Sequence, residues 1–225
     1  MGSRVLVWSG GALFATALVV TVWWYGVVMG RTQPGGGWHA AGVDAALITA
    51  FAFHHSLFAR ESIKTVIGRL VDPDLVRSVY VWVASLLLLG VYGFWRPIGG
   101  EWYRASGALA VVLAIVQLAG LGLTARAVAR IDPLELAGIR SASHTEGLQI
   151  SGPYHWVRHP LYLGWLLMVV GAARMTGDRV AFAGLTTPYL IVAIPWEERS
   201  LRRTFGDDYA RYMRTVRWRM IPFIY

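Results

Sequence analysis

The side chains best suited to chemistry are concentrated in residues 151–164, which read SGPYHWVRHPLYLG. This stretch places His155, Arg158 and His159 among two prolines and three aromatic residues. Because proline disfavours a helical conformation in the residue before it and suits the first helical turn, we expect a helix to begin at Pro160. The first N–H groups of a helix have no internal partner and carry partial positive charge. The stretch therefore predicts a binding site for an anionic group, with His159 at its edge.

A pair of carboxylates, Glu197 and Glu198, directly follows an apolar segment. A carboxylate that is withdrawn from water at such a boundary requires a cationic partner. The sequence allows two kinds of cationic partner, an arginine of the C-terminal tail or the ammonium group of a bound molecule.

A metal site is the alternative use of His155 and His159, which are four residues apart. On a continuous helix this spacing would place both side chains on one face as zinc ligands. The expected break before Pro160 argues against a continuous helix, and the chain has no Cys that could complete the site. We therefore expect no metal.

Two further histidines, His54 and His55, lie near the end of another apolar segment, with Asp44 upstream. Ionisable groups within or beside a membrane segment are functional candidates, and a solvated position at the interface is the open alternative. Adjacent residues on a helix point about 100° apart, so we expect only one of the two histidines to face the interior of a helical bundle.

The composition indicates the kind of molecule that positions these residues. Of 225 residues, 56% are hydrophobic and 15% are charged, and the mean hydropathy is +0.47. These values exclude an ordinary soluble domain and predict an integral membrane protein. The net charge of +8 would suit nucleic acid in a soluble chain, but here the arginines border apolar segments and accumulate in the tail. Anionic membrane lipids are therefore the expected partners, and nucleic acid is not.

The apolar segments predict an all-α, polytopic membrane protein with about six transmembrane helices. A C-terminal amphipathic helix should follow, because apolar residues recur at helical spacing among arginines between Glu197 and Arg219, with Gly206 as a candidate kink. A Gly-containing polar break at 174–178 should connect the last two spans. The expected spans lie at roughly 5–29, 38–58, 76–95, 105–125, 161–174 and 180–196.

The distribution of basic residues predicts the orientation of the chain. With the N-terminus inside, 16 of the 21 Lys and Arg residues fall on the inner side, in agreement with the positive-inside rule. We expect both termini in the cytoplasm and the cell inner membrane as the location. Residues 126–160 and the tail from Glu197 then lie on the same side.

Two sequence patterns carry a family resemblance. Residues 152–164 fit Gly-Pro-Tyr-x-x-Val-Arg-His-Pro-x-Tyr-x-Gly, and residues 197–212 fit Glu-Glu-x-x-Leu-x-x-x-Phe-Gly-x-x-Tyr-x-x-Tyr. Together they resemble the membrane methyltransferases related to isoprenylcysteine carboxyl methyltransferase, among them phospholipid N-methyltransferases and methanethiol S-methyltransferases. In the N-terminal part, residues 55–60 and 77–80 resemble the methanethiol branch.

The resemblance implies an enzyme that uses S-adenosylmethionine to methylate a small or lipophilic acceptor at the cytoplasmic side of the membrane. Residues 1–130 would form the substrate side and 131–225 the cofactor-binding region of one membrane domain. Glu197 would hold the ammonium group of the cofactor, while Glu198 would face the arginines of the tail in water. The implied cofactor-binding residues are Tyr154, His159, Pro160, Leu161, Tyr162 and Glu197, and the implied substrate-binding residues are His55, Ser56 and Arg60, with His55 also a candidate general base.

The acceptor implied by the resemblance is a thiol, a lipid amine or a prenylcysteine carboxylate. The isoprenylcysteine enzymes have an arginine four residues before the cofactor glutamate, where this chain has Ala193. This difference and the resemblance at 55–60 favour S-methylation of a thiol. Two other functions remain open: a nicotinamide-dependent membrane reductase of the sterol type, which the lack of a Gly-rich dinucleotide fingerprint disfavours, and a non-enzymatic component of a respiratory or denitrification system.

Overall fold

The computed structural model describes residues 2–58, 61–72, 75–140 and 147–225, and helices dominate it. The α-helices are α1 Gly2–Trp23, α2 Gly37–Phe58, α3 Glu61–Ile67, α4 Val76–Phe94, α5 Gly107–Val128, α6 Pro133–Leu136, α7 Pro160–Val170 and α8 Gly177–Thr215. A short π-helix, Trp24–Val28, continues α1, and a 3-10 helix, Gly152–His155, precedes α7. Two short strands, β1 Glu101–Arg104 and β2 Arg174–Thr176, form a two-stranded sheet.

Five helices in the described part of the chain are long and apolar enough to cross a membrane, namely α1 with its π-helical end, α2, α4, α5 and α8. Large apolar side chains on them, such as Val19, Leu118 and Val192, are exposed. Such surfaces are typical of helices that lipid covers. The prediction of an all-α, polytopic membrane protein is therefore confirmed. The sixth apolar helix, α7, has 11 residues, fewer than the roughly 20 that a span requires.

The predicted fifth span, 161–174, is too long, because α7 ends at Val170. At the next residue, Gly171, an added Cβ would lie only 2.6 Å from the backbone nitrogen of Gln117 in α5. The chain leaves the helix at this close approach and continues into β2, after which α8 begins at Gly177. Residues 171–176 thus connect the two helices, so the predicted polar break at 174–178 covers the end of this connection and the first two residues of α8.

The predicted boundary between a last span ending at 196 and a separate amphipathic helix is wrong, because α8 runs through both. The segment after Trp196 is rich in Glu, Arg and Leu, which favour a helix, and contains no Gly before Gly206. Gly206 is the predicted interruption, with φ 52° and ψ −123°. Such a conformation is essentially restricted to glycine. The helix then ends at Thr215, short of the predicted Arg219.

The described residues divide into two compact units. In the first, α4 packs against α1 and α2. The buried Asp178 carboxylate accepts hydrogen bonds from Trp95 Nε1 and the Ile98 N–H, both at 2.9 Å, and so fixes the loop after α4. The described residues of this unit come from Met1–Trp102, Pro133–Ala142 and Thr176–Ala181.

In the second unit, α5 and α7 pack against each other at small residues. A Cβ added at Gly120 would lie 2.6 Å from the Gly164 carbonyl oxygen and 2.6 Å from the Met168 nitrogen. Gln117 Nε2 donates to the Met168 carbonyl at 3.0 Å. Small residues that allow two backbones to approach are typical of helix pairs in membranes. The described residues of this unit come from Tyr103–Asp132, Ser143–Met175 and Phe182–Tyr225.

Candidate active site

The candidate site is built within the second unit, where the chain turns into α7. His159 has φ −122° and ψ 65°, and Pro160 occupies the first turn of the helix, so the predicted helix start is confirmed. The N–H groups of Arg158 and His159 donate to the carbonyls of Trp218 and Arg219, at 2.9 and 2.7 Å. These two hydrogen bonds attach the segment before α7 to the segment that follows α8.

Glu198 is buried, with 4% of its side chain exposed, and has two arginine partners. Arg158 Nε donates to Glu198 Oε1 at 2.7 Å, and Arg219 Nε lies 3.3 Å from Glu198 Oε2. The Arg158 guanidinium also donates to the carbonyl oxygens of Val216 and Arg217, at 2.7 and 2.8 Å. The expectation that Glu198 faces arginines is confirmed, but the expectation that it lies in water is wrong. The buried Arg158 contacts the Glu198 carboxylate where water was expected. This arginine belongs to the motif, but no role was assigned to it from the sequence.

Glu197 has a different environment, since 44% of its side chain is exposed. Tyr162 Oη donates to Glu197 Oε2 at 2.8 Å, and His159 Nδ1 lies 3.4 Å from the same oxygen. The other nitrogen of the imidazole, Nε2, lies 3.5 Å from Glu198 Oε1. The buried His159 is therefore placed between an accessible carboxylate and a buried one.

These carboxylates determine the charge of the imidazole. Burial lowers the pKa of His159, but the hydrogen-bonding interactions and charges of Glu197 and Glu198 together outweigh burial and raise that pKa above its ordinary value of 6.5. Burial and the charge of Glu197 raise the pKa of Tyr154 to about 12. The site therefore favours a cationic imidazole at His159 and a neutral hydroxyl at Tyr154.

A cluster of buried aromatic residues supports the site from one side. Tyr154 packs with Tyr209 and Tyr212, and Leu161 packs against this cluster. Tyr212 Oη donates to the Tyr154 carbonyl at 2.7 Å. Both tyrosines lie in the segment where apolar residues recur at helical spacing, and the structure packs them in one cluster with Tyr154.

The structure thus brings most of the predicted cofactor-binding residues together. His159, Tyr162 and Glu197 are in direct contact, and Tyr154 and Leu161 belong to the supporting cluster. Pro160 is buried in the first turn of α7. Their role in binding a cofactor remains a prediction.

The predicted substrate-binding residues belong to the first unit, near the end of α2. His55 is exposed, and its Nδ1 lies 2.8 Å from Tyr80 Oη. His54 is buried and stacks on Phe58, with ring centroids 4.5 Å apart. Only one histidine of the pair is therefore buried, as expected, and it is His54. Ser56 is half-buried, and Arg60 lies outside the described residues.

Two cavities of the second unit are lined in part by residues of α8. The larger, of about 320 Å³, has apolar walls and carries the polar side chains of His155, Asp208 and Arg211. The smaller, of about 170 Å³, is lined by Pro195, Glu198, Arg199, Arg202 and Arg219. Glu198 therefore borders both the candidate site and the smaller cavity.

Comparison with known proteins finds relatives that are named methyltransferases. A family model for phospholipid methyltransferases matches residues 139–208. Methanethiol S-methyltransferase 1 of Bradyrhizobium diazoefficiens is 36% identical over 183 residues, which cover 77% of this chain and 64% of that protein. Methanethiol S-methyltransferase of Crocosphaera subtropica is 34% identical over 192 residues, which cover 81% of this chain and 74% of that protein. Protein-S-isoprenylcysteine O-methyltransferase of Xenopus laevis is 35% identical over 80 residues, covering 34% of this chain and 27% of that protein. No solved structure matches the chain.

Proposed function

The chain belongs to the family of membrane methyltransferases that includes the methanethiol S-methyltransferases, and from this membership we propose that it transfers a methyl group from S-adenosylmethionine to a small thiol. The observation that carries the proposal is the accessible Glu197 carboxylate beside the cationic His159, in the two motifs that the family shares. The reductase and the non-enzymatic component have no support of this kind.

The charges of the site suit the amino-acid part of the cofactor. Glu197 offers a partially exposed carboxylate to an ammonium group, and Tyr162 holds one of its oxygens. The imidazolium of His159 and the first turn of α7 offer positive charge to a carboxylate. An aromatic ring such as that of Tyr154 also attracts a sulfonium cation. The apolar walls of the larger cavity, which Tyr212 lines, suit a nucleoside, and we include this assignment in the proposal.

The residues contribute position and charge more than covalent chemistry. When bound, S-adenosylmethionine would supply a methyl carbon that bonds to the acceptor thiolate as its bond to the sulfonium breaks, leaving a neutral thioether. The protein must therefore orient both molecules and exclude water. A thiol acceptor also has to lose its proton, and we assign the role of general base to the His55 imidazole, which Tyr80 positions at 2.8 Å.

A thiol is the acceptor that the sequence favours. The two bacterial relatives reported above are named methanethiol S-methyltransferases. Ala193 stands where the isoprenylcysteine enzymes have an arginine, so this chain lacks that charge for a substrate carboxylate. We propose acceptor binding near His55, Ser56 and Arg60, in the region 1–130, and cofactor binding in the region 131–225.

The location follows from the charge distribution. We propose that the protein resides in the cell inner membrane with both termini in the cytoplasm, where the water-soluble cofactor is available. This orientation needs an even number of crossings, so in the proposal the short α7 and the residues up to β2, which pairs with β1, complete the sixth crossing beside the five long helices. Anionic lipids of the inner leaflet would attract the arginines of the tail.

The purified protein should be supplied with methyl-labelled S-adenosylmethionine and with methanethiol, phosphatidylethanolamine or a farnesylcysteine analogue in separate reactions. We expect a volatile labelled thioether with methanethiol and little label in the other products. Efficient labelling of farnesylcysteine with none of the thiol would contradict the assigned acceptor. Absence of S-adenosylmethionine binding by calorimetry would contradict the proposed reaction as a whole.

A further inference from the structure

The smaller cavity of the second unit is strongly basic. Three guanidinium groups line it, those of Arg199, Arg202 and Arg219, whereas Glu198 is its single carboxylate. The charge of that carboxylate is already shared with the buried Arg158, at 2.7 Å. The cavity therefore carries net positive charge, and its volume of about 170 Å³ has room for a phosphate group.

Two of these arginines have partners that do not neutralise them. The Arg199 guanidinium lies over the Trp196 ring, 4.7 Å from its centroid. Arg202 Nε donates to the Met213 sulfur at 3.4 Å. Among the described residues neither arginine has a carboxylate partner within ion-pair distance. Arginines in this arrangement retain donors for an anionic oxygen, and guanidinium groups bind phosphate in a bidentate way.

The cavity lies where α8 changes from apolar to charged. Ile191 and Val192, just before it, are exposed apolar residues, and the sequence after Trp196 is rich in charge. Trp196 is 56% exposed and is the kind of residue that marks the level of lipid headgroups. If α8 is inserted in the membrane with Trp196 at the headgroup level, the basic cavity beside it is at the depth of the phosphates of the bilayer.

From the cavity, its unneutralised arginines and its depth, we propose that it binds the phosphate of an anionic phospholipid. The inference rests on insertion of α8 in the membrane and not on methyl transfer. Lipid binding and methyl transfer are therefore tested independently, and either can fail without the other. Because Glu198 borders the cavity and lies 3.5 Å from His159, the bound lipid would lie next to the candidate active site.

Binding can be measured by native mass spectrometry of the full-length protein in detergent, titrated with phosphatidylglycerol, phosphatidylcholine or inorganic phosphate. We expect the Arg199→Gln/Arg202→Gln variant to lose on the order of tenfold in affinity for phosphatidylglycerol. The matched control is Arg203→Gln/Arg214→Gln, which removes the same charge from exposed positions outside the cavity and should retain the affinity within about twofold.

Three results would overturn the proposal: equal losses in the two double variants, equal affinity for phosphatidylcholine and phosphatidylglycerol, or equal affinity for inorganic phosphate and the lipid. The first would mean diffuse attraction by the tail, the second a site without selection for charge, and the third a site for free phosphate. Should the double variant not elute as a single species, the exposed Arg202→Gln change alone should still lower the affinity about threefold.

Discussion

At the residue scale, two adjacent glutamates have opposite surroundings because neighbouring side chains on a helix point about 100° apart. Glu198 is enclosed by Arg158 and Arg219, while Glu197 is accessible and contacts Tyr162. Glu198 therefore serves the structure of the site, whereas Glu197, with 44% of its side chain exposed, is accessible to a ligand.

Replacing each glutamate by glutamine should separate these roles. Glu197→Gln removes one charge from an accessible site and should weaken S-adenosylmethionine binding by about tenfold to a hundredfold, the equivalent of about 1.5–3 kcal/mol, with a smaller loss of stability than Glu198→Gln. Glu198→Gln leaves the buried Arg158 uncompensated and should lower the free energy of unfolding by about 3–5 kcal/mol. Calorimetry and thermal unfolding measure the two effects. Equal cofactor affinity in wild type and Glu197→Gln would mean that the ammonium is bound elsewhere.

The raised pKa of His159 predicts a pH dependence of stability. Because the folded protein favours the imidazolium, this residue contributes stability that is fully present below about pH 6.5 and is lost as the pH rises through the higher pKa of the folded state. The unfolding midpoint of the wild type should fall across that window, and His159→Gln should remove this component. The control His155→Gln, which changes an exposed imidazole of the same stretch, should retain it. A pH profile that His159→Gln leaves unchanged would assign the transition to other groups.

The sequence predicted which residues form the site more completely than it predicted which of them pair with each other. The positions of Tyr154, His159, Tyr162 and Glu197 followed from the motif, and the structure joins them. The pairing of Arg158 with Glu198 could not be predicted, because it depends on which face of α8 is turned inwards. That choice depends on tertiary packing, in which Leu201 and Phe205 of α8 contact the aromatic cluster.

At the element scale, the packing of α5 against α7 depends on the absence of side chains at the crossing. Gly120 approaches the backbone of Gly164 and Met168, and Gly164 in turn approaches Thr124. The helix that begins the candidate site is therefore positioned by a contact that only very small residues allow.

Two glycines of the same helix test this contact. Gly120→Ala places a Cβ within 2.6 Å of two backbone atoms of α7 and should destabilise the protein by about 1–3 kcal/mol. Gly122→Ala meets no atom within 4 Å and should be neutral or slightly stabilising, because alanine favours a helix by up to about 1 kcal/mol. Thermal unfolding in one detergent compares the two. Similar midpoints for both variants would show that the helices adjust without cost.

Helix boundaries were predictable where a local signal exists. Pro160 marks the start of α7 and Gly206 interrupts α8, because each imposes a backbone conformation. The end of α7 at Val170 and the continuity of α8 past Trp196 were not predictable. The end of α7 depends on the close approach of Gly171 to α5. The helix α8 continues because the polar residues after Trp196 favour a helix as much as the apolar residues before it.

At the scale of the whole molecule, apolar length and composition alone identify a membrane protein, and five described helices meet that criterion. Which end of each helix faces the cytoplasm depends on the basic residues. The absence of Cys from the sequence makes this orientation directly testable.

Single cysteines should be introduced at Trp38, Leu70 and Phe223, which are all exposed. With both termini in the cytoplasm, an impermeant thiol reagent should label the variant at Trp38 on intact cells, and the variants at Leu70 and Phe223 only after permeabilisation. The unsubstituted chain is the control for background labelling. The opposite pattern would reverse the orientation and place the candidate site outside.

The attachment of Arg158 and His159 to residues 216–219 also has a consequence for biosynthesis. The N–H groups and guanidinium of this motif find their acceptors some 58 residues further along the chain. While the ribosome is still making α8, the motif has already been made and its hydrogen-bond partners do not yet exist. The site can therefore mature only after residue 219 has been translated, and a nascent chain stalled before residue 216 would lack the four backbone acceptors of Arg158 and His159 and would be more open to quality-control proteases.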